Sequence, residues 1–535
     1  MKSIRFFKHT IIACALSLPL VSCTDDLNQY PHIETTSEQV YTTADNYETV
    51  LGKIYTAMVT NGQGKGGDNA DLTSNMGYDY MRCYFNLQEC GTDEIASTWL
   101  SGDKTSDITY LSWDANDPWV ADMYYRIYYN ITLCNEFLRN CTEDKVNSFS
   151  GDDQTDMRHY RAEARFMRAL LYYHALDLYR YIPFVTENDP IGSYTPPRYT
   201  PDQTFAYIES ELKDIADDLY PASECPYGRA SQGADYALLA KLYLNAEVYT
   251  GVAKYTDCIT ACNNAIAQGY TLDSDYSKLF NADNDKRTDE IIFALPVDAE
   301  KTVSWGATTY IICGQLGNTS ADIVPADYGV QSAWGMFRSR GELPQKFYDE
   351  GYDETTMKDG RFKFFTKNQS QYLNAADDQT QGYFPIKWTN LTDEGEAASN
   401  TADGGVNTDY PMFRLADVYL MYAEAVLRGG EGGTLDKALG YCNALRERAL
   451  GNTDGDIKTQ DLTLDYILDE RARELYLECT RRTDLIRYGE FTTSKYVWQW
   501  KGGTKDGMAV DSKYNIYPIP TTDLTANPNL YNENY

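Results

Sequence analysis

Histidine is scarce, with four in 535 residues. That weighs against a Ser-His-Asp or Cys-His hydrolase, which needs an imidazole beside its nucleophile. No G-x-S-x-G, H-E-x-x-H or G-x-x-x-x-G-K-[ST] run occurs. No two cysteines are spaced C-x-x-C, and no Cys/His group has zinc spacing. Positive charge is also short: 47 Lys and Arg face 79 Asp and Glu, a net of −32. Without clustered cations there is no counterion release, so nucleic acid is excluded as a partner. After the first 22 residues no uninterrupted apolar run reaches the ~20 residues that span a bilayer. The 79 acids leave paired carboxylates of a glycoside hydrolase possible in principle, but their abundance makes any chosen pair uninformative.

The chain is rich in aromatics, with 46 Tyr, 18 Phe and 8 Trp. It opens with Lys2, Arg5 and Lys8, then the short apolar run Ile11 to Val21, which ends Leu20-Val21-Ser22-Cys23. A basic start, an apolar run too short to span and a terminal Cys resemble a bacterial lipobox. The expectation is a lipoprotein signal peptide over 1–22, lipidation of Cys23, and a polar tether over 23–40. The chain is then anchored to a membrane rather than threaded through it. Ten further cysteines follow. Cys258 and Cys262, four apart, read as small apolar groups on one helix, and Cys83 and Cys90 could bridge in an oxidising compartment.

Residues 154–181 carry Ala162, Phe166, Ala169, Leu170, Tyr173 and Leu176 at spacings of three and four, a helical apolar stripe. Arg161, Arg165 and Arg168 fall on the other side, and Pro183 ends the segment. Thr200-Pro201-Asp202 opens a helix to about Leu219. Ser231–Tyr249, broken by Gly251, is followed by Tyr255–Gln268, closed by Gly269. Small residues such as Ala240 and Ala246 let two such helices approach, which is the logic of tetratricopeptide-like hairpins. Phe413–Arg428, Leu435–Leu450 (set apart by Gly429-Gly430 and Gly432-Gly433) and Leu464–Tyr488 repeat the pattern without a strict period. Between these blocks, 60–120, 295–345 and 360–410 are rich in Gly, Asn, Asp, Thr and aromatics. They read as long loops with short strands at Glu290–Leu295 and Thr309–Cys313. The fold class is mainly α: a TPR-like scaffold with long irregular loops and a few strands. Loops of such length carry function more often than not.

Several runs occur in a fixed order: Cys23 with its following acids, Arg161-Ala162-Glu163-Ala164-Arg165-Phe166, Pro411-Met412-Phe413-Arg414-Leu415-Ala416-Asp417, Asp469-Glu470-Arg471-Ala472-Arg473-Glu474-Leu475, Arg482-Thr483-Asp484-Leu485-Ile486-Arg487 and Tyr517-Pro518-Ile519-Pro520. Together they resemble the SusD/RagB family of outer-membrane nutrient-binding lipoproteins. The stretch from Phe491 to Gly503, with Trp498-Gln499-Trp500-Lys501-Gly502-Gly503, is similar to the family's starch-binding member. The resemblance implies one SusD-like domain over 41–535, its N-terminal part about 41–230 and its C-terminal part about 280–535. It implies a non-catalytic, cell-surface, outer-membrane protein that captures starch, maltooligosaccharides or a related α-glucan and hands it to a SusC-like TonB-dependent transporter.

A sugar ring has a C–H face that suits a flat aromatic platform, and a hydroxyl rim that suits planar donors and acceptors. The resemblance places Trp99, Trp305 and Trp334 on three loop aromatics of a glycan site and Arg82 on its arginine. It puts Gly102, beside Asp103, where the family has Asn, and Ser74, with Asp71 nearby, where it has Asp. Trp113, Trp119, Trp388, Trp498 and Trp500 read instead as pins that hold loops to the core. The loops Asp283-Asn284-Asp285 and Asn407-Thr408-Asp409 offer hard oxygen donors that suit Ca²⁺, and the resemblance points to Asp285, Asn407 and Asp409. The same loops also read as plain solvated turns. Other readings keep the scaffold but change the cargo to another polysaccharide or to peptides, or make the chain a glycoside hydrolase or a pure protein-interaction module.

Overall fold

The computed structural model describes residues 37–64, 69–72, 76–317, 322–401 and 404–535. Signal residues 1–22, Cys23, most of the tether, and Ser74 lie outside them. The chain divides after Tyr47 into two units. The described part of the first holds a short helix, Ser37–Val40, and a Tyr41–Tyr47 ring contact at 4.9 Å. The second is the helical body. No described helix is long and apolar enough to cross a membrane.

The longest helix, Asp152–Tyr179, runs 28 residues and ends where Arg180 turns to φ 66°. Its second face is not left to water. Arg165 and Arg168 both reach Glu211 of helix Pro201–Ile215, at 2.7 and 3.0 Å, and Arg168 also pairs with Glu187. The apolar stripe was legible, but the arginine face proved to be a second, charged contact. Helix Pro201–Ile215 starts with a full capping box, Thr200 with Gln203, and Pro201 in its first turn.

Gln232–Leu244 and Tyr255–Ile266 form one antiparallel hairpin, and Leu415–Leu427 and Leu435–Leu450 form another packed against it. Cys258 lies 3.4 Å from the Ala240 carbonyl, an approach that small residues permit. A Cβ on Gly430 would fall 2.8 Å from the Tyr255 backbone, so glycine alone fits where the hairpins meet. Tyr419 stacks on Tyr441 at 3.9 Å between the second pair. This is the expected TPR-like hairpin scaffold with few strands.

The strands pair in twos. Ile291–Leu295 runs antiparallel to Tyr410–Arg414, Ile95–Ser97 to Phe337–Ser339, and Ile182–Pro183 to Arg198–Tyr199. Three local expectations change. Thr309–Cys313 is not a strand but part of helix Ala307–Gln315. Its β-branched residues read as strand, yet Asp79 accepts from the Ala307 amide at the helix start, and every residue of the helix is buried. Region 60–120 is not all loop: it holds helices Tyr80–Glu89 and Ser106–Tyr110 and the start of Pro118–Asn140. All ten residues of Tyr80–Glu89 are buried, which erases any amphipathic period. Leu464–Tyr488 is two helices, Leu464–Leu475 and Arg481–Arg487. The break holds Leu477 and Cys479 at φ 60° and 59°, and their amides donate to Glu94 and Glu89 at 2.9 and 2.5 Å. Cys83 lies within helix Tyr80–Glu89 and Cys90 caps its C-terminal end; both are free thiols, as are the other described cysteines.

Buried ion pairs join the second hairpin to the C-terminal helices. Arg414 meets Glu290 and Glu478 at 2.7 Å and Glu474 at 3.1 Å, while Arg361 meets Glu470 at 2.7 Å. Burial alone would raise these carboxyls. The guanidiniums of Arg361, Arg473 and Arg446 nonetheless hold Glu470 down to about 2, those of Arg448, Arg414 and Arg361 do the same for Glu474, and Arg487 does so for Glu424. A depressed carboxyl stabilises the fold above its unfolded value and stops doing so as pH falls to its folded one. The urea midpoint is therefore expected to fall as pH is lowered from about 4.5 to about 2, with each of the three groups forfeiting ~3 kcal/mol. A midpoint unchanged across that window would refute the assignment.

Candidate functional site

The ladder of Ile95–Ser97 with Phe337–Ser339 continues past its last pair. Thr98 donates its amide to the Met336 carbonyl at 2.7 Å and its hydroxyl to Gly335 at 2.8 Å. This brings Trp99 opposite Trp334, with ring centroids 6.4 Å apart and planes 26° from parallel. The Trp334 amide donates to the Cys313 carbonyl and its indole N–H to Ser332. Trp305, on the loop leading into helix Ala307–Gln315, is tilted against Trp334 at 6.0 Å and 49°. A Cβ on Gly404 would come 2.9 Å from the Trp305 ring, so bare backbone floors that indole. All three indoles are half-buried, with part of each ring in solvent. By contrast Trp113, Trp119, Trp388 and Trp498 are sealed at 1% exposure or less. Between Trp305 and Trp334 lies a small cleft of about 30 Å³ whose walls include Ser332, Asn400 and Thr401.

The polar candidates fall in different places. Arg82 is buried beneath the indoles. It donates to the Trp305 carbonyl at 2.8 Å and to Asp103 at 2.9 Å, and its guanidinium lies 3.3 Å over the Tyr78 ring and 4.2 Å over Tyr310. Asp103 is buried too, and its carbonyl accepts from the Trp119 indole at 2.7 Å. Arg82 and Asp103 thus brace the Trp305 loop from below. Burial would lower the Arg82 pKa, but Tyr310 and Asp103 carry it above its ordinary value. Asp71 pairs with Lys53 at 2.9 Å, and no contact among the described residues joins it to the indoles. Gly102 is exposed with open space around it.

Tyr310, 6.3 Å from Trp334, and Tyr78, stacked on Trp119 at 5.6 Å, complete the support, and the sequence does not mark either of them out. Their signal was weak, since tyrosine is everywhere in this chain. The two described histidines are occupied elsewhere. His174 accepts or donates at 2.6 Å with Tyr80 and is pushed down to about 3, chiefly by burial, while His159 stacks on Tyr220.

Asp285, Asn407 and Asp409 line one cavity of about 700 Å³. Asp409 accepts from the Tyr227 hydroxyl and the Val297 amide at 2.6 Å each, Asn407 accepts from the Ala299 amide at 2.9 Å, and Asp285 is exposed. Burial first, then the nearby Asp285 and Asp298 charges, push Asp409 up to about 7. Among the described residues no group of three His, Cys, Asp or Glu side chains is gathered as a metal cluster. The trio's donors are hard oxygens with lone pairs still free, which suits a calcium ion better than a softer metal.

Comparison with known proteins agrees with the architecture. Residues 345–535 match the model described as the SusD family, and residues 30–244 match one described as "Starch-binding associating with outer membrane". The starch-binding protein SusD of Bacteroides thetaiotaomicron is 32% identical over 99% of this chain and 98% of its own. A SusD superfamily structure from Parabacteroides distasonis superposes with a TM-score of 0.69 at 19% identity, covering 94% of this chain and 100% of that one. A laminarin-binding SusD-like protein superposes at 0.66 with 18% identity over 92% and 99%. The chain belongs to the SusD family.

Removing Arg82 strands the buried Asp103 carboxylate. Arg82→Ala is expected to cost about 3–5 kcal/mol in urea unfolding and to alter the near-ultraviolet circular dichroism of the indole cluster. A neutral substitution with an unchanged spectrum would show that Arg82 does not brace the platform.

Proposed function

We propose that this chain is a non-catalytic, cell-surface binder of starch or a related α-glucan, held at the outer membrane by a lipid on Cys23, which passes its cargo to a SusC-like TonB-dependent transporter. The observation that carries the reading is the set of three half-exposed indoles from three separate loops, with centroids 6.0 and 6.4 Å apart. Stacked on C–H faces, they can follow a curved chain of sugars, and their rigid mounting keeps the ordering cost of binding low. The full-length likeness to a starch-binding relative supports an α-glucan as cargo. The open space at Gly102 favours a second reading in which another glucan is the cargo, as for the laminarin-binding neighbour.

Affinity electrophoresis in amylopectin and calorimetry with maltoheptaose test this directly. Trp99→Ala with Trp334→Ala is expected to weaken binding by a factor of at least ten, about 1.4 kcal/mol or more. Unchanged binding in the double variant defeats the site, and retention by laminarin but not by amylopectin selects the second reading. Cys23→Ser is expected to move the chain out of the membrane fraction; a chain still sedimenting with membranes contradicts the lipid anchor.

A calcium ion on Asp285, Asn407 and Asp409 is part of the same proposal. It would neutralise the acids of that cavity and tie the 283–285 loop to the 407–409 loop. Calcium at a hundredfold excess over its Kd is expected to add about 2.7 kcal/mol of apparent stability over the EGTA-treated protein, and Asp409→Asn to remove the gain. Identical melting in calcium and EGTA would exclude the ion.

A further inference from the structure

Trp500 does not behave as a loop pin. It is half-buried, unlike its neighbour Trp498, which is sealed. Its backbone sits at φ 68°, a left-handed conformation that bulky residues avoid. The strain is held by a rigid mount. The Trp500 amide donates to Thr504 at 3.0 Å and its indole N–H to the Leu373 carbonyl at 3.3 Å. Next to it the buried Lys501 ammonium donates to the carbonyls of Glu490, Thr493 and Tyr496 at 2.8–3.0 Å. Gly507 turns at φ 71° where a Cβ would lie 2.2 Å from the Trp498 carbonyl.

The mount presents the indole beside Tyr110, itself half-buried, with centroids 6.1 Å apart and planes at 45°. Spacing and tilt match those of Trp305 on Trp334, at 6.0 Å and 49°. The Leu373 carbonyl that accepts the Trp500 indole N–H sits in the chain between Tyr372, 44% exposed, and Asn374, which accepts from Lys505 at 2.6 Å. An aromatic pair with an amide and ammonium rim has the chemistry of the first platform, an apolar face with donors and acceptors for hydroxyls. The two lie toward opposite ends of one strand. Trp334 precedes Phe337–Ser339, and Arg340 after it donates to the Thr109 carbonyl, next to Tyr110, at 3.0 Å. Arg340 follows Trp334 by six residues, so the two are at most about 20 Å apart at ~3.3 Å per extended residue.

We propose that Trp500 and Tyr110, with Tyr372 at their edge, form a second carbohydrate-binding platform, separate from Trp99, Trp305 and Trp334, that engages the same polymer. The inference rests on the carbohydrate-binding reading. Two platforms on one chain make the second contact intramolecular, so a long glucan gains avidity that a short one cannot.

Native mass spectrometry with maltoheptaose counts the sites, and amylopectin electrophoresis measures avidity. Wild type is expected to hold two maltoheptaose molecules, Trp500→Ala one, Trp99→Ala with Trp334→Ala one, and the triple variant none. Trp500→Ala is also expected to weaken amylopectin retention roughly tenfold or more. Tyr372→Ala, exposed and outside the strained turn, should weaken the second occupancy while keeping the wild-type melting temperature, which guards against misfolding in Trp500→Ala. A single occupancy in wild type that vanishes in the Trp99, Trp334 variant overturns the second platform and leaves the first reading intact. Two occupancies that survive the Trp99, Trp334 variant but fall with Trp500→Ala support the second platform and overturn the first site. No oligosaccharide bound by wild type overturns both.

Discussion

Everything in the site hangs on how the Thr92-Asp93-Glu94 turn is tied to the far end of the chain. Arg481 grips Asp93 with two parallel hydrogen bonds of 2.7 and 2.8 Å, and Arg340 threads between the carbonyls of Thr92, Cys90 and Thr109. Glu89 and Glu94 take the amides of Cys479 and Leu477 at the break between two C-terminal helices. A buried pair gains little net stability, because desolvation offsets most of its attraction. Its effect here is on register: strand Ile95–Ser97 leaves that turn at one height and one rotation, and Trp99 therefore arrives opposite Trp334.

The scaffold and the platforms divide the aromatic residues between them. Inside, rings fill space: Trp388 stacks on Tyr410, Trp113 leans on Tyr517, and Phe364 lies on Tyr476. At the surface the same residue type is held half out of the core by a polar or backbone mount, as with Trp305 above Arg82 and Gly404, and Trp500 on the carbonyls of Thr504 and Leu373. A hydrophobic plate left in water costs free energy, so each exposed indole is offset by close support beneath it. The arrangement is stiff before any ligand arrives, and rigid plates lose little entropy on binding.

Buried charge plays a second part in the helical body. Arg414, Arg361 and Arg448 share Glu290, Glu470, Glu474 and Glu478 among the second hairpin, the Ile291–Leu295 pairing and the C-terminal helices. Guanidinium groups, planar and permanently charged, suit such shared bidentate contacts in a way that lysine does not. The Arg-rich runs that made the family resemblance recognisable are mostly these internal contacts, not ligand contacts. Arg471 and Arg487, for instance, bind Asp417, Asp484 and Glu424.

Sequence alone determined the long helix to Tyr179, the two hairpins with their glycine breaks, and, through the resemblance, the three loop tryptophans. Periodicity and punctuation are local, and one exposed face is enough to reveal them. It did not determine helix Ala307–Gln315, helix Tyr80–Glu89 or the break at Leu477, because an element buried on every side keeps no polar face for a pattern to show. Nor did it determine which side chains share a surface. Only the tertiary structure set Arg82 and Asp103 under the indoles and Asp71 beside Lys53. It alone left Trp500 half in water while sealing Trp498, because those outcomes depend on contacts between segments from 18 to more than 200 residues apart, beyond the reach of a local pattern.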